Sequence, residues 1–195
     1  MKDLAILTAD KDAEQTLKAL LSKRQQSLGI RAIEYDIFVH PERDSGVRTR
    51  CVDFLRAYAN EYRYALVIFD YEGCGATASA SQLETQLEHE LSAAGWQNRI
   101  AVVVIQPELE SWIFSPSSHV IQVIADGQWS IYSKYHPMQG KPSRPKETMQ
   151  QIMREAKVQW SSALFRELAE KVSLQGCTDS AFQKLVSVLR RWFGE

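Results

Sequence analysis

The sequence carries almost no excess of charge of either sign. Its 23 Lys and Arg residues nearly balance 24 Asp and Glu residues, which leaves a formal net charge of −1 over 195 residues. A protein that holds nucleic acid through its overall field is strongly basic, so any such contact here has to come from a local basic patch. The 45% hydrophobic and 24% charged fractions are typical of an ordinary globular chain of one domain.

Cysteine is scarce, and long apolar runs are missing. Cys51, Cys74 and Cys177 are widely spaced and lack the CxxC spacing of zinc and redox sites. This usage is typical of a reducing compartment, so we expect a cytoplasmic protein. No segment approaches the roughly 18 apolar residues of a membrane span, which predicts no membrane partner. Acids flank the apolar run near the amino terminus, unlike in a secretory signal peptide.

Several common catalytic motifs are also absent. The sequence has no GxxxxGK[ST] phosphate-binding loop, no GxGxxG dinucleotide fingerprint and no GxSxG nucleophile elbow. The four histidines do not have zinc spacing; they are His40, His89, His119 and His136. These absences disfavour the enzyme classes that depend on such motifs, and they direct attention to the acidic residues.

Apolar runs and helical patterns alternate along residues 1–126. Strands are predicted at 4–10, 30–40, 64–70 and 99–108, with a short further strand at 119–124. Helices are predicted between them at 13–29, 43–62 and 78–96. This order predicts an α/β core with right-handed crossovers and a mainly parallel sheet of about four to five strands, flanked by helices.

The rest of the chain is predicted to form two further parts. Residues 127–147 are rich in Gly, Pro, aromatic and basic residues without periodicity, which is typical of a long loop. Residues 148–195 are predicted as a C-terminal helical region packed on the core, with helical patterns at 147–170 and 179–193.

Acidic residues follow three of the predicted strands. Asp10 ends the first strand, Asp70 and Glu72 end the run "YALVIFD", and Glu108 and Glu110 follow the fourth strand. The carboxyl ends of parallel strands meet at one edge of a sheet, where α/β proteins gather their ligands. An Asp-x-Glu pair in an extended segment also points both side chains to the same side.

Acids in this arrangement indicate a Mg²⁺ or Mn²⁺ site. Hard cations prefer carboxylate oxygens, and they can activate a water or neutralise a phosphodiester. We expect Asp70 and Glu72 to bind the ion together, with Asp10 as a further metal ligand and Glu110 as a further catalytic ligand or base. The alternative is that these acids cap the helices that follow the strands.

The segment 127–147 interleaves basic and aromatic side chains. They are Lys134, His136, Lys141, Arg144 and Lys146 with Trp129, Tyr132 and Tyr135. Phosphate pairing and base stacking together bind single-stranded nucleic acid, which makes Arg144 and Lys146 the expected phosphate-binding residues. The alternative is a solvated loop without a ligand.

The order of these features resembles the Toprim-like fold of topoisomerases, primases and nucleases of the OLD group. That pattern has an acid after the first strand, matched by Asp10, and an Asp-x-acid pair after a later strand, matched by Asp70 and Glu72. The segments "PELESWIF" (107–114) and "GCTDSAFQKL" (176–185) are similar to segments of small stand-alone Toprim-like proteins of bacterial antiphage systems, the RloB-like and related families.

The resemblance implies a Toprim-like fold and two alternative functions. The first is a Mg²⁺- or Mn²⁺-dependent nuclease-like component of an antiphage defence system. The second is a catalytically silent subunit that binds nucleic acid or another defence protein. The usual Glu-Gly after the first strand is missing, since Asp10 and Asp12 stand there, and Glu72 replaces the second Asp of the usual pair. The missing Glu-Gly favours the second function, and the retained Asp-x-Glu favours the first.

Overall fold

The centre of the molecule is a parallel sheet with the strand order β2-β1-β3-β4. The strands are β1 (Lys2–Thr8), β2 (Tyr35–Val39), β3 (Tyr62–Asp70) and β4 (Ile100–Ile105). The structure is a computed structural model that describes residues 1–114, 117–136, 140–171 and 177–194. In these residues the sheet has four strands, all parallel, which confirms the predicted α/β architecture.

Helices connect and cover the strands. They are α1 (Lys11–Lys23), α2 (Gln25–Leu28), α3 (Arg43–Arg56), α4 (Ala80–Leu91), α5 (Ser118–Ala125), α6 (Trp129–Tyr135), α7 (Pro145–Glu155), α8 (Ser162–Lys171) and α9 (Ser180–Phe193). A 3-10 turn, Leu109–Trp112, follows β4. Within the described ranges, no helix has both the length and the apolar character needed to cross a membrane.

Helices cover both faces of the sheet, and the side chains of each strand alternate between these two faces. Along β1, Leu4 and Ile6 face a core formed with α1, α5, α7, α8 and α9, whereas Ala5 and Leu7 face a second core formed with α3 and α4. Burial on both faces explains why β3 and β4 read as continuous apolar runs in the sequence.

The segment at 119–124 forms helix α5, so its prediction as a strand is wrong. The side-chain oxygen of Ser117 caps the helix by accepting a hydrogen bond from the His119 N–H. Val120, Ile121 and Ile124 then follow at helical spacing and are buried. A short β-branched run does not distinguish a strand from a buried helix, so the cap and the spacing decide.

The segment 127–147 is not a continuous loop. It contains α6, and α7 begins at Pro145; residues 137–139 lie outside the described part of the chain. The helical pattern predicted at 147–170 is two helices, α7 and α8, separated near Lys157, which has a φ of +57°. The helix predicted over 179–193 is confirmed as α9, and Gly176 of the quoted segment 176–185 lies outside the described residues.

The strand order creates a crevice at one end of the sheet. From β1 the chain crosses outward to β2 on one side, and then returns to β3 on the other side of β1. The connections therefore diverge at the carboxyl ends of β1 and β3, which is the position where α/β sheets bind ligands.

Candidate functional site

Two of the predicted acids lie at this crevice. Asp10 follows β1 and is the N-cap of α1, with its Oδ1 accepting the Ala13 N–H at 2.9 Å. Asp70 ends β3, and its Oδ1 accepts the Leu109 N–H at 2.9 Å. Asp10 therefore has the helix-capping role of the alternative interpretation. Asp70 instead ties the end of β3 to the turn after β4.

A third acid at the crevice, Asp44, was missed by the sequence reasoning. It lies in the first turn of α3, and its Oδ1 accepts the backbone N–H of Asp70 at 2.9 Å. Its position shortly after β2, at the same edge of the sheet as the other acids, is the only local signal that pointed to it.

Glu110 completes the group from the 3-10 turn after β4. The residue is 2% exposed, and no group in the described residues donates a hydrogen bond to its buried Oε2. Its Oε1 lies 3.7 Å from the Nζ of Lys146. We refer to Asp10, Asp44, Asp70 and Glu110 as the carboxylate cluster.

Lys146 projects from the first turn of α7 toward the carboxylate cluster. The carboxylate of Glu108 fixes this turn, because its Oε1 accepts the Lys146 backbone N–H at 2.9 Å. Burial alone would lower the pKa of the Lys146 ammonium, but the charges of Glu110, Asp70, Glu108 and Asp10 raise it. Lys146, predicted from the sequence to bind phosphate, therefore compensates the charge of carboxylates of the same protein.

The surroundings in the cluster raise the pKa values of three acids, Asp44, Asp70 and Glu110. Burial, together with the charges of Asp44, Glu110 and Asp10, raises the pKa of Asp70 well above its ordinary value. Burial raises the pKa of Glu110 to about 7 even though Lys146 opposes the shift. Burial also raises the pKa of Asp44. Desolvated like charges disfavour ionisation, so these acids hold protons at higher pH than free carboxyl groups do.

Two predicted site residues lie apart from the cluster. The extended geometry that suggested an Asp70–Glu72 pair ends at Asp70, and Glu72 lies exposed in the following turn with its N–H bonded to Pro107 O. Glu72 instead lines a neighbouring cavity of about 430 Å³. Arg144 lines that cavity too, but its side chain is 75% exposed and pairs with Glu147 at 3.2 Å.

The donor chemistry of the cluster suits a hard divalent cation. Asp10, Asp70 and Glu110 offer only carboxylate oxygens, the ligands that Mg²⁺ and Mn²⁺ prefer. Glu110 Oε2 is a buried acceptor without a donor in the described residues. In the arrangement seen, though, no three His, Cys, Asp or Glu side chains of the described ranges converge as ligands of one metal ion. The Lys146 ammonium provides the neighbouring positive charge instead.

Comparisons with protein-family models, with curated proteins and with solved structures give no match to this chain. The resemblance to Toprim-like proteins therefore stays a prediction. The geometry of the carboxylate cluster and its surroundings is the basis for a function.

Proposed function

We propose that the protein processes phosphodiesters in a Mg²⁺- or Mn²⁺-dependent reaction, with its site at the carboxylate cluster and Lys146. The proposal depends most on the surroundings of Glu110. Its carboxylate is almost fully buried, and within the described ranges one of its oxygens has no donor. An unsatisfied buried carboxylate costs folding free energy, and such costs concentrate at sites that bind ligands.

The residues of the cluster have distinct parts in this proposal. Asp10, Asp70 and Glu110 would hold the cation. Once bound, the ion would neutralise a phosphodiester and lower the pKa of a coordinated water. Lys146, which pairs with Glu110 in this structure, would bind a phosphate oxygen. Asp44 positions Asp70 through the hydrogen bond from the Asp70 backbone N–H.

The resemblance to Toprim-like proteins supports a cellular setting for this activity. We place it in a bacterial antiphage defence system in the cytoplasm, with nucleic acid as substrate and other defence proteins as partners. The acids after β1 and β3 are the residues on which that resemblance depends.

A catalytically silent subunit that binds nucleic acid or a partner protein is the second candidate function. Lys146 favours it, since its ammonium already compensates the cluster. The backbone hydrogen bonds of Asp10 and Asp70 favour it as well, because each acid has a structural use without any ion. In this alternative the cluster only maintains the crevice.

Cleavage of a labelled single-stranded oligonucleotide separates the two candidates. Wild-type protein should cleave DNA or RNA with Mn²⁺, and Asp70→Asn should lower the rate by about 10³-fold, because one carboxylate ligand is lost. Asparagine keeps an oxygen for the Leu109 N–H, so the fold should survive. Glu147→Gln, at an exposed acid one residue from Lys146, is the matched control and should leave the rate unchanged.

Two outcomes would contradict the enzyme proposal. One is equal cleavage by wild-type and Asp70→Asn protein. The other is oligonucleotide binding by folded wild-type protein without any cleavage, which would establish the silent subunit instead.

A further inference from the structure

A second cavity adjoins the carboxylate cluster on the side of β2. Its volume is about 610 Å³, within the range of roughly 300–1,000 Å³ that is usual for small-molecule sites. The ends of β1 and β2 and the first turns of α1 and α8 form its walls, with Lys146 on the side of the cluster. We call this cavity the β2-side pocket.

His40 lines the β2-side pocket and has one ring nitrogen without a protein partner in the described residues. The residue is 6% exposed, and its Nδ1 accepts the Glu42 N–H at 3.1 Å. Because Nδ1 is an acceptor, the proton of the neutral ring is on Nε2. Gly46 packs against the ring so closely that an added Cβ would lie 2.3 Å from Nδ1. The ring is thus fixed, and in the described part of the chain its Nε2 has no protein partner.

Arg43 brings a free guanidinium to the same pocket. Its backbone has a φ of +52°, in the left-handed region that disfavours residues other than glycine. Among the described residues its guanidinium has no hydrogen bond or ion pair, and the residue lines the pocket. Arg43 is an exposed residue, so its unpaired guanidinium at the pocket is accessible to an anionic ligand.

Trp160 supplies an aromatic surface to the pocket. Its indole Nε1 donates to Asp12 Oδ2 at 3.0 Å, and its ring contacts Phe165 with centroids 5.3 Å apart. These two contacts hold the ring in place while it remains partly exposed and lines the pocket. Fixed aromatic rings of this kind stack on nucleic-acid bases.

We infer that the β2-side pocket is a nucleotide subsite, in which His40 Nε2–H and Arg43 bind the phosphate and Trp160 stacks on the base. The inference rests on the proposed function and deepens it, since the pocket shares Asp10 and Lys146 with the site of the reaction. Arginine and a ring N–H are donors well suited to phosphate oxygens.

The β2-side pocket has two acids in its lining, Asp10 and Asp12, but the cavity on the other side of Lys146 is less suited to an anion. It is lined by three acids, Glu72, Glu108 and Glu147, and its Arg144 is already paired with Glu147. Both cavities share Lys146. A nucleic-acid strand bound across the carboxylate cluster would therefore have the nucleotide next to its scissile linkage in the β2-side pocket.

Calorimetric titration with dAMP and with deoxyadenosine in EDTA tests the subsite without any metal. We expect dAMP to bind at least about tenfold more tightly than deoxyadenosine, because the phosphate makes charge-assisted hydrogen bonds. His40→Asn keeps an acceptor for the Glu42 N–H but removes the donor at Nε2, and should weaken dAMP binding by about tenfold. His40→Gln places an amide near the Nε2 position and should retain more of the affinity.

Arg43→Gly gives a second test with a matched control. Arg43 and Lys157 both have positive φ values, +52° and +57°. Glycine should therefore raise the melting temperature at either position. Only Arg43→Gly should weaken dAMP binding, again by about tenfold.

The outcomes separate this inference from the proposed function. Metal-free binding of dAMP that depends on His40 and Arg43 upholds the subsite, even if no cleavage is found. Equal binding of dAMP and deoxyadenosine, no binding of dAMP to folded protein, or an affinity unchanged in both His40→Asn and Arg43→Gly would overturn the subsite. None of those results would contradict metal-dependent cleavage at the carboxylate cluster.

Discussion

Acids at the two ends of the sheet have different charged surroundings. At the amino end, the Asp3 carboxylate accepts hydrogen bonds from two nitrogens of Arg31 at 2.8 and 3.1 Å, and Asp36 pairs with Lys2 at 2.7 Å. At the carboxyl end, the charges of Asp44, Glu110 and Asp10 act on Asp70, and Lys146 opposes them. Asp3 and Asp36 therefore have cationic partners of their own, whereas Asp70 is surrounded by other acids that share Lys146.

The pKa values follow this difference. The hydrogen bond from Arg31 lowers the pKa of Asp3, and the hydrogen bond from Lys2 lowers the pKa of Asp36. Burial raises the pKa values of Asp70 and Glu110. A lowered carboxyl pKa adds to stability at neutral pH, whereas a raised one subtracts from it.

The comparison shows which charges serve the fold. The amino-end acids are ion-paired and stabilise the strands in which they lie. At the carboxyl end, the raised pKa values of Asp70 and Glu110 mark a cost in folded-state stability, and such a cost is retained where a ligand can relieve it. The crevice end of the sheet is therefore the end to test for function.

The largest effect we expect is stabilisation by Mn²⁺. At about 100 times its dissociation constant, an ion that binds only the folded state adds about 2.7 kcal/mol to the free energy of unfolding. The gain should be larger at about pH 8 than at about pH 6, because Glu110 has a pKa of about 7 and must lose its proton to bind. Thermal denaturation with and without Mn²⁺ measures it.

Asp3→Asn is the control for this experiment, since it changes an acid at the other end of the sheet. Its melting temperature should rise with Mn²⁺ as much as that of the wild type. If the melting temperature of folded wild-type protein does not rise in millimolar Mn²⁺, the acids at the carboxyl end of the sheet do not form a metal site.

The next effect concerns Glu110 in the metal-free protein. Its folded-state pKa of about 7 exceeds the ordinary 4.5, so the folded state binds more protons between these values and stability falls as pH rises through them. Glu110→Gln removes this penalty. We expect it to raise the free energy of unfolding by about 2 kcal/mol at about pH 8 and to change it little near pH 4.

Urea denaturation over this pH range measures the difference. Glu147→Gln, at an exposed acid, should give no such pH-dependent gain. A Glu110→Gln protein that is less stable than wild type at every pH would show that the Glu110–Lys146 ion pair outweighs the cost of burial.

Asp3→Asn should change the free energy of unfolding in the opposite direction from Glu110→Gln, and by a smaller amount. The lowered pKa of Asp3 contributes stability above its ordinary value of 3.8, and this stability is lost as pH falls through the folded-state pKa. The substitution should lower the free energy of unfolding by about 1 kcal/mol near neutral pH, since Arg31 is partly exposed and solvent screens the pair. The loss should vanish in acid. If Asp3→Asn leaves the free energy of unfolding unchanged, the Asp3–Arg31 ion pair contributes no stability.

The sheet was predictable because its signal is local. The runs that became β3 and β4 are apolar along their whole length, and Leu83, Leu87 and Leu91 recur at helical spacing on α4. Alternating elements of these lengths allow few arrangements other than a parallel sheet covered by helices. The placement of acids at its carboxyl edge followed from that topology.

Asp10, Asp70 and Glu110 were predicted, but Asp44 and the place of Lys146 beside the acids were not predictable, because they depend on contacts between distant segments. Asp44 precedes its partner Asp70 by 26 residues, and Lys146 follows its partner Glu108 by 38. Neither pairing leaves a periodic or short-range pattern. The packing of α3 and α7 over the ends of the strands creates the cluster.

The smallest effect on stability is expected from Asp10→Asn, a variant that separates helix capping from metal binding. Asp10 caps α1 through its bond from the Ala13 N–H. Asparagine caps a helix about as well as aspartate, whereas alanine lowers the free energy of unfolding by about 1 kcal/mol. We therefore expect Asp10→Asn to leave metal-free stability nearly unchanged and Asp10→Ala to reduce it. Urea denaturation of the two variants in EDTA measures this contrast.

The response to Mn²⁺ then decides the role of Asp10 at the carboxyl end. Both variants should lose most of the Mn²⁺-induced rise in melting temperature, because a neutral amide or a methyl group is a poor replacement for a carboxylate ligand of a hard cation. Asp3→Asn should keep the full rise, since Asp3 lies at the opposite end of β1. If Asp10→Asn also keeps the full rise, Asp10 is a helix cap alone, and the ion depends on Asp70 and Glu110.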